Sequence, residues 1–160
     1  MKGTEIQDSI LREYCRGKPL SITNYSGATG FEADVLMVAK SGFAYEYEVK
    51  TSRADFKKDF SKVAKHKNLK KPSLRLKRKY PMTPNYFYYV CIEGLIKKNE
   101  IPKYAGLIYI VAGIPVVQVR APRLHSIKMT EHLKQNIGIA LSYRTIYGSS
   151  YLRHVNTKKI

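Results

Sequence analysis

Two strand-like segments separated by three residues constrain this chain more than any other feature of its sequence. Residues 32–39, EADVLMVA, are rich in apolar side chains, and residues 43–50, FAYEYEVK, alternate in character. Between them, KSG at residues 40–42 has the length and chemistry of a tight turn. The pattern predicts a β-hairpin whose second strand directs alternate residues to opposite faces: Phe43, Tyr45, Tyr47 and Val49 to one, and Ala44, Glu46, Glu48 and Lys50 to the other.

The predicted hairpin brings two acidic residues together. Antiparallel pairing around the turn places Asp34 approximately opposite Glu48, and facing side chains in such a pair have Cβ atoms about 5 Å apart. Lys50 lies on the same face, two positions beyond Glu48. Two carboxylates this close repel each other unless positive charge lies between them. The arrangement suits Mg²⁺, with Mn²⁺ as a substitute, and the backbone carbonyl of Val49 as a further ligand.

An alternative interpretation of these residues is a solvent-facing salt bridge between Lys50 and Glu48 or Asp34. Exposed pairs of that kind contribute about 0–1 kcal/mol. We favour a functional site because EADVLMVA and YEYEV resemble central strands, where unpaired carboxylates are costly. Glu46 shares a face with Glu48 but lies further from the strand end, which indicates a supporting or exposed acid.

Helices and strands are predicted to alternate around this hairpin. We expect helices over residues 5–16 and 129–147, a helix beginning near Ser52, and further strands at 20–25, 86–92 and within 106–122. The helix near Ser52 begins with SRAD, a capping signature, and its predicted apolar stripe is Phe56, Phe60, Val63 and Ala64. On this helix we interpret Asp55 as a cap residue and Asp59 as a partner for nearby lysines. Residues 66–85, rich in proline and basic side chains, indicate a basic loop or mobile arm.

This order of elements predicts the fold class. We expect a single α/β domain over residues 1–160 with an αβββαβ core. A central mixed sheet flanked by helices is expected, with extra C-terminal strands and a helix.

The charge distribution favours a polyanionic partner. The 29 Lys and Arg residues outnumber the 12 Asp and Glu residues, giving a net charge of +17. Residues 1–49 hold 5 basic and 7 acidic side chains, whereas residues 50–80 hold 13 basic and 2 acidic ones. Nucleic acid is the commonest partner of such a surface, and a merely solvated basic surface is the alternative. The candidate DNA contacts are Arg53, Lys57, Lys58, Lys62, Lys65, His66, Lys70 and Lys71.

Membrane insertion and secretion are not predicted. No apolar run approaches the roughly 20 residues of a transmembrane helix, and the first residues, MKGTEIQDSI, contain no apolar signal core. Cys15 and Cys91 are too few and too isolated for a disulfide framework or a zinc site. We therefore expect a cytoplasmic protein.

Asp34, followed after the hairpin by Glu48-Val49-Lys50, resembles the motif of the PD-(D/E)XK nuclease superfamily, which has the restriction-endonuclease-like fold. The αβββαβ order resembles the core of that superfamily as well. The segments EVKTSRADFKKDF, FYYVCIEGLI and IPKYAGLIYI resemble a bacterial and phage branch that includes the MmcB-type DNA repair proteins. The resemblance covers roughly residues 4–112, and one departure is that no proline precedes Asp34.

This resemblance implies a Mg²⁺-dependent deoxyribonuclease that acts in DNA repair, recombination or phage DNA processing. It implies that Asp34 and Glu48 bind the metal and that Lys50 is the catalytic lysine. Some members add a glutamate from the first helix, for which Glu5 is the best positional candidate and Glu13 the alternative. Junction-cutting relatives are often dimers, which leaves a homodimer open.

Two alternatives to a nuclease follow from the same features. The first is a catalytically weak or inactive nucleic-acid-binding protein on the same fold, which composition supports equally well. The second is a recruitment protein in which the basic arm makes the functional contacts, and it predicts that Asp34 and Glu48 are dispensable.

Overall fold

The protein is described from a computed structural model, which covers residues 1–75 and 79–148. These ranges contain the helices α1 (Gly3–Tyr14), α2 (Arg53–Asp59), α3 (Val63–Lys70) and α4 (Glu131–Tyr147). They also contain the strands β1 (Leu20–Tyr25), β2 (Ala33–Val38), β3 (Ala44–Lys50), β4 (Leu74–Arg75), β5 (Tyr80–Pro81), β6 (Tyr86–Ile92), β7 (Gly106–Val111) and β8 (Ile114–Val119). Short 3₁₀ turns occur at Cys15–Gly17 and Lys98–Glu100.

A six-stranded mixed sheet forms the centre of the fold. Its order is β1-β2-β3-β6-β7-β8, and β4 pairs with β5 in a separate two-stranded sheet. The first three strands are antiparallel, β3, β6 and β7 run parallel, and β8 returns antiparallel to β7. The predicted mixed α/β fold is confirmed, including the αβββαβ order, the extra C-terminal strands and the C-terminal helix.

The predicted hairpin forms with the predicted turn. Strands β2 and β3 pair antiparallel from Val38 opposite Ala44 to Val35 opposite Tyr47. At the turn, the amide of Gly42 donates to the carbonyl of Ala39 at 2.8 Å. Gly42 has a φ of +87°, a conformation that side chains with a Cβ disfavour. The turn residues therefore determine the register that brings Asp34 and Glu48 together.

Helices cover both faces of the sheet. Helix α1 buries Ile6 and Ile10 against the face that carries Val35, Tyr47 and Val49. The opposite face carries two apolar clusters. One joins α4 to β1 and β2, and the other joins α2 and α3 to β6 and β7. The alternation in β3 therefore directs Glu46, Glu48 and Lys50 toward α2 and α3, and all three side chains are buried.

The helix predicted after Ser52 forms as two helices. Its first turn is capped as predicted, since the Ser52 hydroxyl accepts the backbone N–H of Asp55 at 3.1 Å. Lys62, with φ −76° and ψ 60°, then separates α2 from α3. Phe56 is buried, but Phe60 and Val63 are 40% and 72% exposed, so the predicted apolar stripe is wrong beyond Phe56. The break in the helix changes which side chains face the sheet.

The structure also corrects the predicted arm over residues 66–85. Residues 66–70 lie in α3, where Leu69 is buried, and β4 pairs with β5. Residues 76–78 of that arm, and the C-terminal tail from residue 149, lie outside the described residues. Within residues 1–75 and 79–148, no helix has both the length and the apolar content needed to cross a bilayer.

Candidate active site

Asp34 and Glu48 meet where β2 and β3 separate. The ladder between these strands ends at Val35 and Tyr47, so the next facing pair is Asp34 and Glu48, as the hairpin predicts. Beyond that point the carboxylate Oδ2 of Asp34 accepts the backbone N–H of Val49 at 2.7 Å. Because the N–H and C=O of one strand residue point to the same side, the carbonyl of Val49 is directed toward Asp34 as well.

Lys50 is buried beside Glu48 on the same face. Its Nζ lies 2.9 Å from Oε1 of Glu48 and 3.2 Å from Oδ1 of Asp59, and its side chain is only 3% exposed. Asp55 lies at the edge of this arrangement, 3.8 Å from Lys50 Nζ. Asp59 also accepts the Tyr89 hydroxyl at 2.9 Å. The prediction that Asp59 pairs with nearby lysines is confirmed, and one of its partners is Lys50 itself.

Two further lysines from α3 and the loop before it reach the same acids. Lys65 Nζ lies 2.6 Å from Oε2 of Glu48 and 2.9 Å from Oε1 of Glu46. Lys62 Nζ lies 3.1 Å from Oε1 of Glu48 and 3.0 Å from Oδ1 of Asp59. Lys65 is buried, whereas the Lys62 side chain is 48% exposed.

Four acids and three lysines therefore form one group, which we call the charge cluster: Asp34, Glu46, Glu48, Asp59, Lys50, Lys62 and Lys65. Glu46 is buried and also accepts the Thr29 hydroxyl at 3.1 Å, so it is the supporting acid of the prediction and not an exposed one. The sequence alternation placed Glu46 on this face. No sequence pattern indicated that Lys65 contacts these acids.

The surroundings of the carboxyl groups in the charge cluster shift their pKa values in different directions. Burial opposes ionisation of Glu48, but the ammonium groups of Lys65 and Lys50 hold its pKa below the usual range. Burial likewise opposes ionisation of Asp59, and Lys50 and Lys62 lower its pKa. Asp34 behaves differently, because burial and the charge of Glu48 raise its pKa to about 6. The hydrogen bond from the Val49 N–H lowers this pKa but does not offset the increase. Burial also raises the pKa of Glu46.

The oxygen atoms at this site are of the chemical type that binds a hard divalent cation. Asp34 and Glu48 supply carboxylates and Val49 a carbonyl, which are the ligand types that Mg²⁺ and Mn²⁺ prefer. However, both carboxylate oxygens of Glu48 are already contacted by ammonium groups. Lys50 and Lys62 contact Oε1, and Lys65 contacts Oε2. Among the residues that the structure describes, no group of three His, Cys, Asp or Glu side chains is arranged to hold a metal ion. A cation would therefore have to replace a lysine contact at Glu48.

Glu5, the predicted additional ligand, lies elsewhere. It is in the first turn of α1, the helix packed on the other face of the sheet. Its exposed carboxylate accepts the backbone N–H of Lys2 at 2.8 Å and so caps its own helix. The structure does not bring Glu5 into contact with Asp34 or Glu48.

The predicted DNA contacts divide into exposed and buried groups. The exposed group consists of Lys57 and Lys58 in α2, Lys70 in α3 and Lys71 just after it. Lys62, between the two helices, is 48% exposed and also pairs with Glu48 and Asp59. Arg53 is exposed but makes two hydrogen bonds of 2.6 Å with Glu100. The structure corrects the predictions for Lys65 and His66, which are buried. Lys65 binds the acids of the cluster, and His66 contacts the Tyr104 hydroxyl at 2.6 Å and the Asp59 carbonyl at 2.9 Å.

Comparison with known proteins supports the fold alone. No family model matches the chain, and no curated protein matches it. Among solved structures, the SPO1766 protein of unknown function from Silicibacter pomeroyi is similar, with a TM-score of 0.63 and 17% sequence identity. The match covers 100% of this chain and 97% of that one.

Replacing Asp34 with asparagine is expected to stabilise the protein at neutral pH. Because the pKa of Asp34 rises from 3.8 to about 6 on folding, its contribution to stability is complete below pH 4 and is lost as the pH rises through 6. The Asp34→Asn variant keeps an oxygen for the Val49 N–H and does not ionise. Its gain should therefore be near zero at pH 4 and reach about 3 kcal/mol above pH 7.

Chemical denaturation in EDTA from pH 4 to pH 8 measures this difference in the free energy of unfolding. Asp8→Asn, which removes an exposed carboxylate from α1, is the matched control. A gain for Asp34→Asn that does not change with pH would show that the Asp34 carboxyl group ionises normally in the folded protein.

Proposed function

We propose that the protein is a Mg²⁺-dependent deoxyribonuclease that hydrolyses phosphodiester bonds. One observation carries the proposal: the Asp34 carboxylate is hydrogen-bonded to the Glu48-Val49-Lys50 segment at the point where two central strands separate. Acids and a lysine in that position are costly to bury, and perturbed carboxyl groups cluster at functional sites more often than elsewhere. The resemblance to the PD-(D/E)XK superfamily points to the same chemistry.

Asp34, Glu48 and the Val49 carbonyl would hold the metal ion. When bound, Mg²⁺ lowers the pKa of a coordinated water and offsets negative charge on a phosphate. Lys50 is held by Glu48 and Asp59, so its ammonium is already oriented to stabilise the charge that develops on the phosphate oxygens. In the hydrolysis, the oxygen of water bonds to phosphorus and gives up a proton, the bond to the leaving oxygen breaks, and the leaving oxygen takes up a proton.

The exposed lysines supply the binding surface. Lys57, Lys58, Lys70 and Lys71 lie on the helices that cover the charge cluster and in the residue after them. Cations beside the site neutralise backbone phosphates on either side of the bond that is cut. The net charge of +17 supports association with a long polyanion.

A second candidate function is nucleic-acid binding without catalysis. The observation that favours it is the occupation of both Glu48 oxygens by lysine ammonium groups. Three lysines already balance most of the charge of the four acids, so the cluster is stabilised without a cation. On this account the same basic surface binds DNA and the cluster stabilises the fold.

Cleavage assays on a panel of DNA structures distinguish the two functions. Labelled single-stranded, duplex, flapped and four-way-junction DNA would be incubated with the protein in Mg²⁺, Mn²⁺ or EDTA. The nuclease proposal predicts cleavage products in Mg²⁺ or Mn²⁺ and none in EDTA. Binding to every substrate without cleavage of any would favour the second function.

A further inference from the structure

A groove of about 800 Å³ lies beside α3 on the same side of the sheet as the charge cluster. Phe60, Val63, His66 and Tyr104 contribute to its walls, and we call it the α3 groove. Its volume is in the range of sites that bind small molecules or single molecular groups, roughly 300–1,000 Å³.

An aromatic side chain is presented to this groove in a fixed orientation. The Phe60 ring lies against the His66 ring, with centroids 5.1 Å apart and planes 25° apart. It also makes an edge contact with Phe56 at 5.2 Å. His66 is held in turn, because both of its ring nitrogens contact partners, Tyr104 and Asp59. Phe60 nevertheless remains 40% exposed, and neighbouring Val63 is 72% exposed.

The rim of the α3 groove is cationic. Lys67, Lys70 and Lys71 line it and are exposed, and no Asp or Glu is among its lining residues. A ligand that complements the groove therefore combines a flat apolar part with negative charge. A nucleotide of a DNA strand has this combination, since its base can stack on an aromatic ring while its phosphates meet lysines.

The groove is connected to the charge cluster by direct contacts. His66 Nε2 lies 2.9 Å from the Asp59 carbonyl, and Asp59 Oδ1 lies 3.2 Å from Lys50 Nζ. Asp59, the residue before Phe60, therefore joins the wall of the groove to Lys50. A base inside a duplex is paired and stacked, so it cannot reach a recessed wall unless it leaves the stack.

We infer that the α3 groove binds an unpaired nucleotide next to the phosphate that is cut, and that the substrate class is single-stranded or locally unpaired DNA. The inference deepens the proposed function and rests on it for the identity of the ligand. It predicts stacking on Phe60 and phosphate contacts from Lys67, Lys70 and Lys71.

Binding measurements in EDTA test the inference separately from catalysis. Fluorescence anisotropy would compare labelled single-stranded DNA with a duplex of the same sequence, for the wild type and for Phe60→Leu and Phe60→Tyr. We expect Phe60→Leu to weaken single-strand binding roughly 5- to 100-fold, the size of one base–aromatic stack. Phe60→Tyr should keep the affinity, and neither variant should change duplex binding.

Tyr143→Leu is the matched control, because Tyr143 in α4 is an aromatic residue with the same 40% exposure. It should leave single-strand affinity unchanged. The inference is overturned if Phe60→Leu binds single strands as the wild type does, or if Phe60→Tyr loses affinity equally with Phe60→Leu. A wild type that binds single strands through Phe60 but cleaves nothing would contradict the nuclease proposal and leave standing only the assignment of the α3 groove as a site for an unpaired nucleotide.

Discussion

Replacing Lys50 with methionine is expected to lower the rate of Mg²⁺-dependent DNA cleavage by roughly 10²–10³-fold. The Lys50 side chain is 3% exposed and its ammonium lies between Glu48 and Asp59, so it requires little reorganisation when charge develops on the phosphate. Single-turnover cleavage at saturating enzyme measures this rate. Methionine keeps most of the volume of the side chain but removes the charge that balances Glu48 and Asp59. The variant is therefore also expected to be less stable, and its rate is measured under conditions in which circular dichroism shows it folded.

Two further measurements show whether the loss of cleavage is specific to Lys50. Lys40→Met removes an exposed lysine from the turn between β2 and β3, at the other end of β3 from Lys50, and should leave the single-turnover rate unchanged. DNA affinity in EDTA should be similar for both variants, because the basic surface holds most phosphate contacts. Cleavage by Lys50→Met at the wild-type rate would remove Lys50 from the catalytic site.

Replacing Lys65 with methionine is expected to lower the free energy of unfolding by about 3–5 kcal/mol, the usual cost of leaving a buried ion pair without one partner. Lys65 contacts Glu46 at 2.9 Å and Glu48 at 2.6 Å, and all three side chains are buried. Chemical denaturation at pH 7 in EDTA measures the loss. Lys67→Met, which changes an exposed lysine on α3, is the matched control.

A double variant and a change of pH identify the cause of that loss. Adding Glu46→Gln to Lys65→Met removes one of the uncompensated carboxylates and should restore part of the stability. Burial already raises the pKa of Glu46, so protonation at lower pH should also reduce the loss in the single variant. A loss below about 1 kcal/mol, typical of surface pairs, would show that Lys65 contributes no more than an exposed lysine.

The hairpin and the acids of β2 and β3 are predictable from the sequence because they depend on short-range patterns. Strand alternation assigns Glu48 and Lys50 to one face, and a three-residue turn determines which residue faces Glu48. Counting residues back from the turn along both strands then places Asp34 opposite Glu48. These steps need no knowledge of how the helices pack.

The rest of the charge cluster depends on the break between α2 and α3, which the sequence pattern does not indicate. Phe60 and Val63 have the spacing of a continuous apolar stripe, yet the chain turns at Lys62 and leaves both exposed. The same turn directs Asp59 and Lys65 toward the sheet. Ion pairs between distant elements determine this geometry, and single-sequence periodicity does not reveal such pairs.

His66 illustrates the same limit for surface contacts. In the sequence it lies between lysines and resembles part of a basic face. In the structure its ring bridges Asp59 and Tyr104 and supports Phe60. His66 therefore forms part of the wall of the α3 groove, and Lys67 beside it is exposed.

The most direct test of the account is a single cleavage comparison between the wild type and Asp34→Asn. The variant keeps an acceptor for the Val49 N–H and is expected to be at least as stable as the wild type, so a loss of activity cannot be attributed to unfolding. The substrate is the DNA structure that the wild type cleaves fastest, in Mg²⁺ and in EDTA. We predict that the wild type cleaves in Mg²⁺ but not in EDTA, and that Asp34→Asn cleaves in neither. Cleavage by Asp34→Asn at the wild-type rate would contradict a catalytic site at Asp34, Glu48 and Lys50.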